Sequence, residues 1–218
     1  MSRAYDAVIF DLDGTLIDSQ PAHEACWKAA LMRQGIELDE RQLRLCLGLT
    51  SPQFAARIEK ILGRSIPDVE LAIREKRRLY FNRFEELVRP IDGAAELLQR
   101  LHGRYRLALC TTAGLRVVGQ TLKRMNWRGV FEVVTAIDHV PAPKPDPEIY
   151  RFTLDRLKLE SSRALAFEDS PAGIQSALGA RLDAVAIAST YDAPLLLEHG
   201  AHCVFENCAD PGINAILP

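Results

Sequence analysis

The stretch DAVIFDLDGT, residues 6–15, decides how the rest of this chain is read. Its first half, Asp6-Ala7-Val8-Ile9-Phe10, is a short, nearly continuous apolar run, the pattern of a strand buried on both faces of a parallel sheet. Its second half places Asp11 and Asp13 directly after that run, with Gly14 and Thr15 behind them. In open α/β sheets the ligand sits beyond the carboxyl ends of the strands, so two aspartates there are candidates for chemistry.

Working outward, the same kind of run recurs at 106–110 (RLALC), 131–137 (FEVVTAI), 164–167 (ALAF) and 183–188 (DAVAIA), with a weaker one at 202–206 (HCVFE). Between them lie segments of helical periodicity at 94–102, 115–126, 147–157, 171–179 and 193–198. Alternation of this kind predicts an α/β fold, a Rossmann-like doubly wound parallel sheet with helices on both faces. The residues from Asp210 onward read as a surface helix or tail. Residues 17–87 break the pattern. Their apolar positions recur at helical spacing (Ala25, Leu31, Met32; Leu43, Leu45, Leu47; Phe54, Ile58, Ile61, Leu62; Leu79, Phe84, Leu87). Gly35, Gly48, Ser51-Pro52, Gly63 and Pro67 punctuate them into about four helices. The expected organisation is an α/β core formed by 1–16 and 88–218, with an all-helical domain, 17–87, inserted after the first strand.

Composition narrows the function classes. The chain has 218 residues, 48% of them apolar, enough for one large core or a core with a small accessory domain. A net charge of -2 excludes affinity built on bulk positive charge, so no nucleic-acid partner is expected. No stretch reaches the roughly 20 apolar residues of a membrane helix, and no secretory leader is evident at the N-terminus. Five scattered cysteines without a C-x-x-C pair read as reduced thiols. A cytoplasmic protein, monomeric or weakly dimeric, is the expectation.

The strand ends carry the chemistry. After the second run stand Thr111 and Thr112; after the fourth stand Glu168 and Asp169. The loop after the third, Pro141-Ala142-Pro143-Lys144-Pro145, holds a lysine. Each taken singly is an ordinary cap or turn residue. Taken together, four carboxylates, a hydroxyl and a lysine converge on one sheet edge. Clustered carboxylates repel one another unless a cation sits among them. An all-oxygen donor set of modest count selects a hard ion, Mg²⁺ rather than Ca²⁺. The fragment His23-Glu24-Ala25-Cys26-Trp27 lacks the second histidine of a zinc site, and no phosphate-loop, dinucleotide or serine-hydrolase motif is present.

Asp11-Leu12-Asp13-Gly14-Thr15-Leu16-Ile17-Asp18-Ser19 resembles the first motif of the haloacid dehalogenase superfamily. Thr111, Lys144 and Glu168-Asp169 fall where that superfamily has its second, third and fourth motifs. The stretch 167–180, FEDSPAGIQSALGA, is similar to the branch containing β-phosphoglucomutase and phosphoglycolate phosphatase, which carries a helical cap after the first motif. The resemblance implies Asp11 as nucleophile and Asp13 as general acid and base. It further implies Mg²⁺ held by the Asp11 carboxylate, the Asp13 carbonyl and Asp169, with Glu168 a further or water-mediated ligand. Thr111 and Lys144 would contact the phosphoryl group and the junction with Asp11, and backbone amides near Leu12 and Thr112 would complete the cradle. Gly14 permits close backbone approach. His23 reads as a proton shuttle or phosphate contact, or as an ordinary half-buried histidine. Lys76 reads as a contact for a second anionic group, or, within Arg74-Glu75-Lys76-Arg77-Arg78, as part of a solvated helix face of mixed charges. Thr15 and Asp18 are candidates for orienting the motif through local hydrogen bonds.

The implied activity is a phosphatase of small phosphorylated metabolites, with phosphomutase as the alternative and a non-catalytic regulator as a third reading. Mutase relatives carry an arginine after a G-x-[ST] turn. Here Gly48-Leu49-Thr50 is followed by Ser51, and a bidentate clamp is hard to replace. Pro143 stands where that family usually has glycine.

Overall fold

The computed structural model describes residues 5–46 and 49–218, with the side chains of 84–86 excepted. Leu47 and Gly48, together with the Phe84 side chain, lie outside the described residues. Along the chain, β1 (Ala7–Phe10) and β2 (Ile17–Asp18) precede α1 (Gln20–Met32), α2 (Glu40–Arg44), α3 (Ser51–Leu62) and α4 (Val69–Leu87). Then follow β3 (Arg89–Pro90), α5 (Ala94–Leu101), β4 (Arg106–Thr111), α6 (Leu115–Arg124), β5 (Val133–Ala136) and α7 (Glu148–Leu157). The last elements are β6 (Ala164–Glu168), α8 (Pro171–Gly179), β7 (Asp183–Ile187), α9 (Ala193–Glu198), β8 (Val204–Phe205) and α10 (Ile213–Ile216). The chain divides into two compact units, Met1–Asp18 with Arg89–Pro218, and Ser19–Val88.

In the first unit, six parallel strands lie in the order β5-β4-β1-β6-β7-β8. The expected doubly wound α/β sheet is therefore what forms. Strand β1 is central because every one of its side chains is apolar and buried. On one face Ile9 joins Ala108, Cys110, Ala166, Ile149 and Ile174 in a core with α7 and α8. On the other, the Phe10 ring meets Phe167 at 5.0 Å between centroids. Register follows: Phe10 pairs with Leu109 on β4 and with Phe167 on β6. The next residue of each strand is thereby brought level, Asp11 beside Cys110 and Glu168. The chain order reverses at β1, between β4 and β6, which opens a crevice at that sheet edge.

Two short elements depart from the sequence reading. Ile17–Asp18 pairs antiparallel with Arg89–Pro90, so a two-stranded ribbon forms in the first unit at each side of the insertion. The run 131–137 yields only Val133–Ala136, because Glu132 turns outward to Arg106 at 2.8 Å and the chain after Ala136 tightens into a 3₁₀ turn.

Among its described residues the second unit has helices as its regular elements and no strand. Its core gathers Trp27, Leu31, Leu43, Phe54, Ile58 and Ala72, with Trp27 stacked on Phe54 at 4.2 Å. Helix starts are written locally. Asp39 and Gln42 form a reciprocal capping box before α2, and before α3 the Gln53 side chain accepts from both the amide and the hydroxyl of Thr50. Gly63, in the left-handed region at φ 64°, ends α3. No helix among the described residues is long and apolar enough to cross a membrane.

Candidate active site

Asp11 leaves β1 with its amide still donating to Phe167 O at 2.9 Å, so the strand ladder fixes where its carboxylate points. The backbone then turns back sharply: Leu16 N and Ile17 N both donate to Leu12 O, and Gly14 N donates to Ile17 O at 2.7 Å. Gly14 makes that turn at φ +85°, and a Cβ there would lie 2.1 Å from Asp169 Oδ2. The glycine is thus required twice, for its conformation and for the nearness of a carboxylate. The Ser189 hydroxyl donates to Gly14 O, and the Thr190 hydroxyl hydrogen-bonds Asp169, so the loop after β7 buttresses both sides of the contact.

Lys144 organises the centre. Its ammonium donates to Asp11 Oδ1 at 2.6 Å, to Glu168 Oε1 at 2.5 Å and to the Cys110 carbonyl at 2.9 Å. All three of its protons are committed, and the side chain is almost wholly buried. Burial works against the charge, but Asp11 and Glu168 outweigh it and hold the lysine pKa above its usual value, so it stays protonated. Charge-assisted bonds of this kind are about twice as strong as neutral ones.

Asp11, Glu168 and Asp169 are buried, and one oxygen from each lies within 4.8 Å of the others. Burial, and then the neighbouring Glu168 and Asp169, push the Asp11 carboxyl well above the usual range, although Lys144 pulls it back. Burial and Glu168 push Asp169 up to about 7. One ammonium is too little positive charge for three carboxylates. Three carboxylates so placed could hold a cation among them. Its donors are oxygens only, which suits a hard divalent ion such as Mg²⁺.

Of the other residues singled out by sequence, Asp13 is half-buried, follows Leu12 in the turn and lies close enough to raise the Asp169 pKa further. Thr111 ends β4, and its Oγ1 accepts from Ala113 N at 3.0 Å, shaping the turn in which Thr112 is exposed. Leu12 has a fully buried side chain, so only its backbone can face a ligand. The Thr15 hydroxyl is buried without a hydrogen-bond partner, so it orients nothing by hydrogen bonding. The Thr15 carbonyl accepts from the Cys208 thiol at 3.4 Å.

His23 and Lys76 belong to the helical unit, on α1 and α4. Lys76 Nζ donates to His23 Nδ1 at 2.7 Å, and the His23 ring stacks on Tyr80 at 4.5 Å. Burial, then the lysine charge, hold the His23 pKa well below its usual value, so the imidazole is neutral and accepts at Nδ1. Lys76 is buried over the rings of Tyr80 and Trp27, which removes it from the solvated mixed-charge helix face read around it in the sequence.

Three participants were missed by sequence reasoning. The Tyr150 hydroxyl donates to Glu168 Oε1 at 2.6 Å. Gly173, in the first turn of α8, faces the Glu168 carboxylate so closely that a Cβ would stand 1.8 Å from Oε2. The Cys110 carbonyl receives Lys144. A glycine inside a helical pattern was the one available signal, and it marks close approach.

Residues 8–187 match the family described as haloacid dehalogenase-like hydrolase. The chain is 29% identical to the fructose-1-phosphate phosphatase YqaB of Escherichia coli, over 85% of this chain and 97% of that protein. It is 32% identical to the validoxylamine A 7'-phosphate phosphatase of Streptomyces hygroscopicus, over 89% of this chain and 91% of that protein. Among solved structures it is similar to CbbY from Rhodobacter sphaeroides in complex with phosphate, with a TM-score of 0.78 and 27% identity over 95% of this chain and 96% of that one. The chain belongs to the haloacid dehalogenase-like hydrolases, and among the proteins it is similar to there are phosphatases.

Proposed function

We propose that this enzyme is a Mg²⁺-dependent phosphatase of small phosphorylated metabolites, sugar phosphates foremost, acting through an aspartyl-phosphate on Asp11. The observation that carries the reading is the Lys144 ammonium bonded to both Asp11 and Glu168 inside a buried trio of carboxylates. The phosphatase relatives, one named for fructose 1-phosphate, support the substrate class.

The chemistry follows from those residues. A carboxylate oxygen of Asp11 attacks phosphorus, and the bond to the ester oxygen breaks with its electron pair leaving on that oxygen. Asp13, two residues on, gives the leaving oxygen its proton. Asp13 then takes a proton from water as the water attacks the aspartyl-phosphate, which returns the Asp11 carboxylate and releases inorganic phosphate. Lys144 keeps Asp11 oriented and offsets negative charge where nucleophile and phosphoryl group meet. Asp11, the Asp13 carbonyl and Asp169, with Glu168 directly or through water, would hold Mg²⁺. When bound, that ion neutralises the repulsion between two anions. Thr111 and the amides of the turns after β1 and β4 would receive the phosphoryl oxygens.

A phosphomutase shares every step to the phosphoenzyme and differs in the acceptor. Ser51, in the place of the mutase arginine, favours water. The test is phosphate release from a panel of phosphorylated sugars, polyols and glycolate with Mg²⁺. Asp11→Asn should lose activity by at least a thousandfold, on the order expected when a nucleophile is removed. Wild-type release rates from Asp11→Asn would end the proposal, and interconversion of glucose 1-phosphate isomers with little phosphate freed would replace it by the mutase.

A further inference from the structure

We infer that Tyr150 is a positioning residue of the metal site, an inference that rests on the proposed Mg²⁺ site and adds to it a residue outside the motif residues quoted above. Tyr150 sits on α7 with no exposed surface. Its hydroxyl donates to Glu168 Oε1 at 2.6 Å, and the same oxygen receives Lys144 Nζ at 2.5 Å. Two short donors occupy Oε1, which leaves Oε2 as the oxygen open to a cation or to its water shell. Oε2 in turn is backed by Gly173, whose missing side chain gives the carboxylate its room. Among the described residues the hydrogen bond at Oε2 is a long one, from Asp169 N at 3.4 Å.

The tyrosine ring does a second task. Lys144 Nζ lies 5.0 Å from its centroid, within the range of a cation–π attraction, so the ring steadies the ammonium that joins Asp11 to Glu168. One side chain therefore sets the rotation of a metal-site carboxylate through its hydroxyl and the seat of the active-site lysine through its ring. A phenylalanine here would keep the ring and the packing. It would leave Oε1 with the lysine alone, and the carboxylate free to turn about its Cγ–Cδ bond. Removing partners that orient metal ligands weakens metal binding or activity by about 10–100-fold.

The experiment is Mg²⁺ binding to the full chain by calorimetry, without substrate, for wild type, Tyr150→Phe, Glu168→Ala and the double variant, with thermal melts to confirm that each is folded. Tyr150→Phe should weaken Mg²⁺ binding by about tenfold. In the Glu168→Ala background the same change should matter by less than about twofold, because a residue that acts through Glu168 has nothing left to act on. A general structural role would give equal losses in both backgrounds, and that result overturns the inference. So does unchanged Mg²⁺ affinity in Tyr150→Phe when wild type binds the ion, which leaves the metal site itself standing. A wild-type chain that binds no Mg²⁺ overturns both.

Discussion

Gly173→Ala is the sharpest perturbation this fold offers, because the rule for helices and the demand of the site point in opposite directions. At an exposed helical position, alanine in place of glycine stabilises by about 1 kcal/mol. Here the added carbon would stand 1.8 Å from Glu168 Oε2, 2.1 Å from Cδ and 2.4 Å from Oε1. Carbon and oxygen in ordinary contact are about 3.3–3.6 Å apart, so the carboxylate must retreat by about 1.5 Å. Bonds of 2.5 Å to Lys144 and 2.6 Å to Tyr150 cannot survive that shift. Breaking a buried ion pair costs about 3–5 kcal/mol, which leaves a net loss of about 2–4 kcal/mol once the helix gain is deducted. For a chain of this size that lowers Tm by roughly 5–10 °C. The assay is a thermal melt in chelator, where no added metal obscures the difference, followed by phosphatase kinetics with Mg²⁺. Activity should fall by about a hundredfold, as expected when the support of a metal ligand is lost. A variant that melts at or above wild type with activity within a factor of two would show that the Glu168 position is not what Gly173 protects.

Two further outcomes follow from the charges. Asp11 and Asp169 have folded pKa values above those of an unfolded chain, Asp169 at about 7. The metal-free fold therefore retains protons that the unfolded chain releases, and the stability they contribute is lost as pH rises from about 4 through 7. In the proposed site Mg²⁺ would take the place of those protons, so the Tm gained from saturating Mg²⁺ should be larger at pH 8 than at pH 5; an equal or reversed gain contradicts the cluster's assignment. In the helical unit, Lys76→Met should move the His23 pKa upward in an NMR titration while leaving it below 6.5, because burial is the larger cause and the lysine charge the smaller. A downward move, or none, would contradict the pairing.

The sheet was legible because its inner strands are buried on both faces and so spell unbroken apolar runs, and the aspartates and glutamate at their ends stand out against them. Strand order was not, since β1 takes its place between β4 and β6 only through packing against α7 and α8. The ribbon of Ile17–Asp18 with Arg89–Pro90 could not be seen, as two-residue strands have no periodicity and their partners are some seventy residues apart. At the site, Asp11, Lys144, Glu168 and Asp169 were readable as interruptions of pattern. Tyr150 was not, because it continues the apolar stripe of α7 and only the rotation of that helix sends its hydroxyl to Glu168. Gly173 was quoted within a motif, yet its reason is the volume of a carboxylate arriving from another strand.

The three hydrogen bonds of Lys144 also bear on when in folding this enzyme becomes able to work. The ammonium joins residues 133, 34 and 24 positions away in the chain, which sit at the ends of three different strands. The longest of those closures spans the whole helical insertion, and contacts of such separation are slow to form. No fragment and no partly docked intermediate can assemble the three acceptors, since losing β1, β4 or β6 leaves the lysine short of one. On the proposed mechanism, catalytic competence thus arrives only after β1, β4 and β6 have come together, and the appearance of activity during refolding reports that closure.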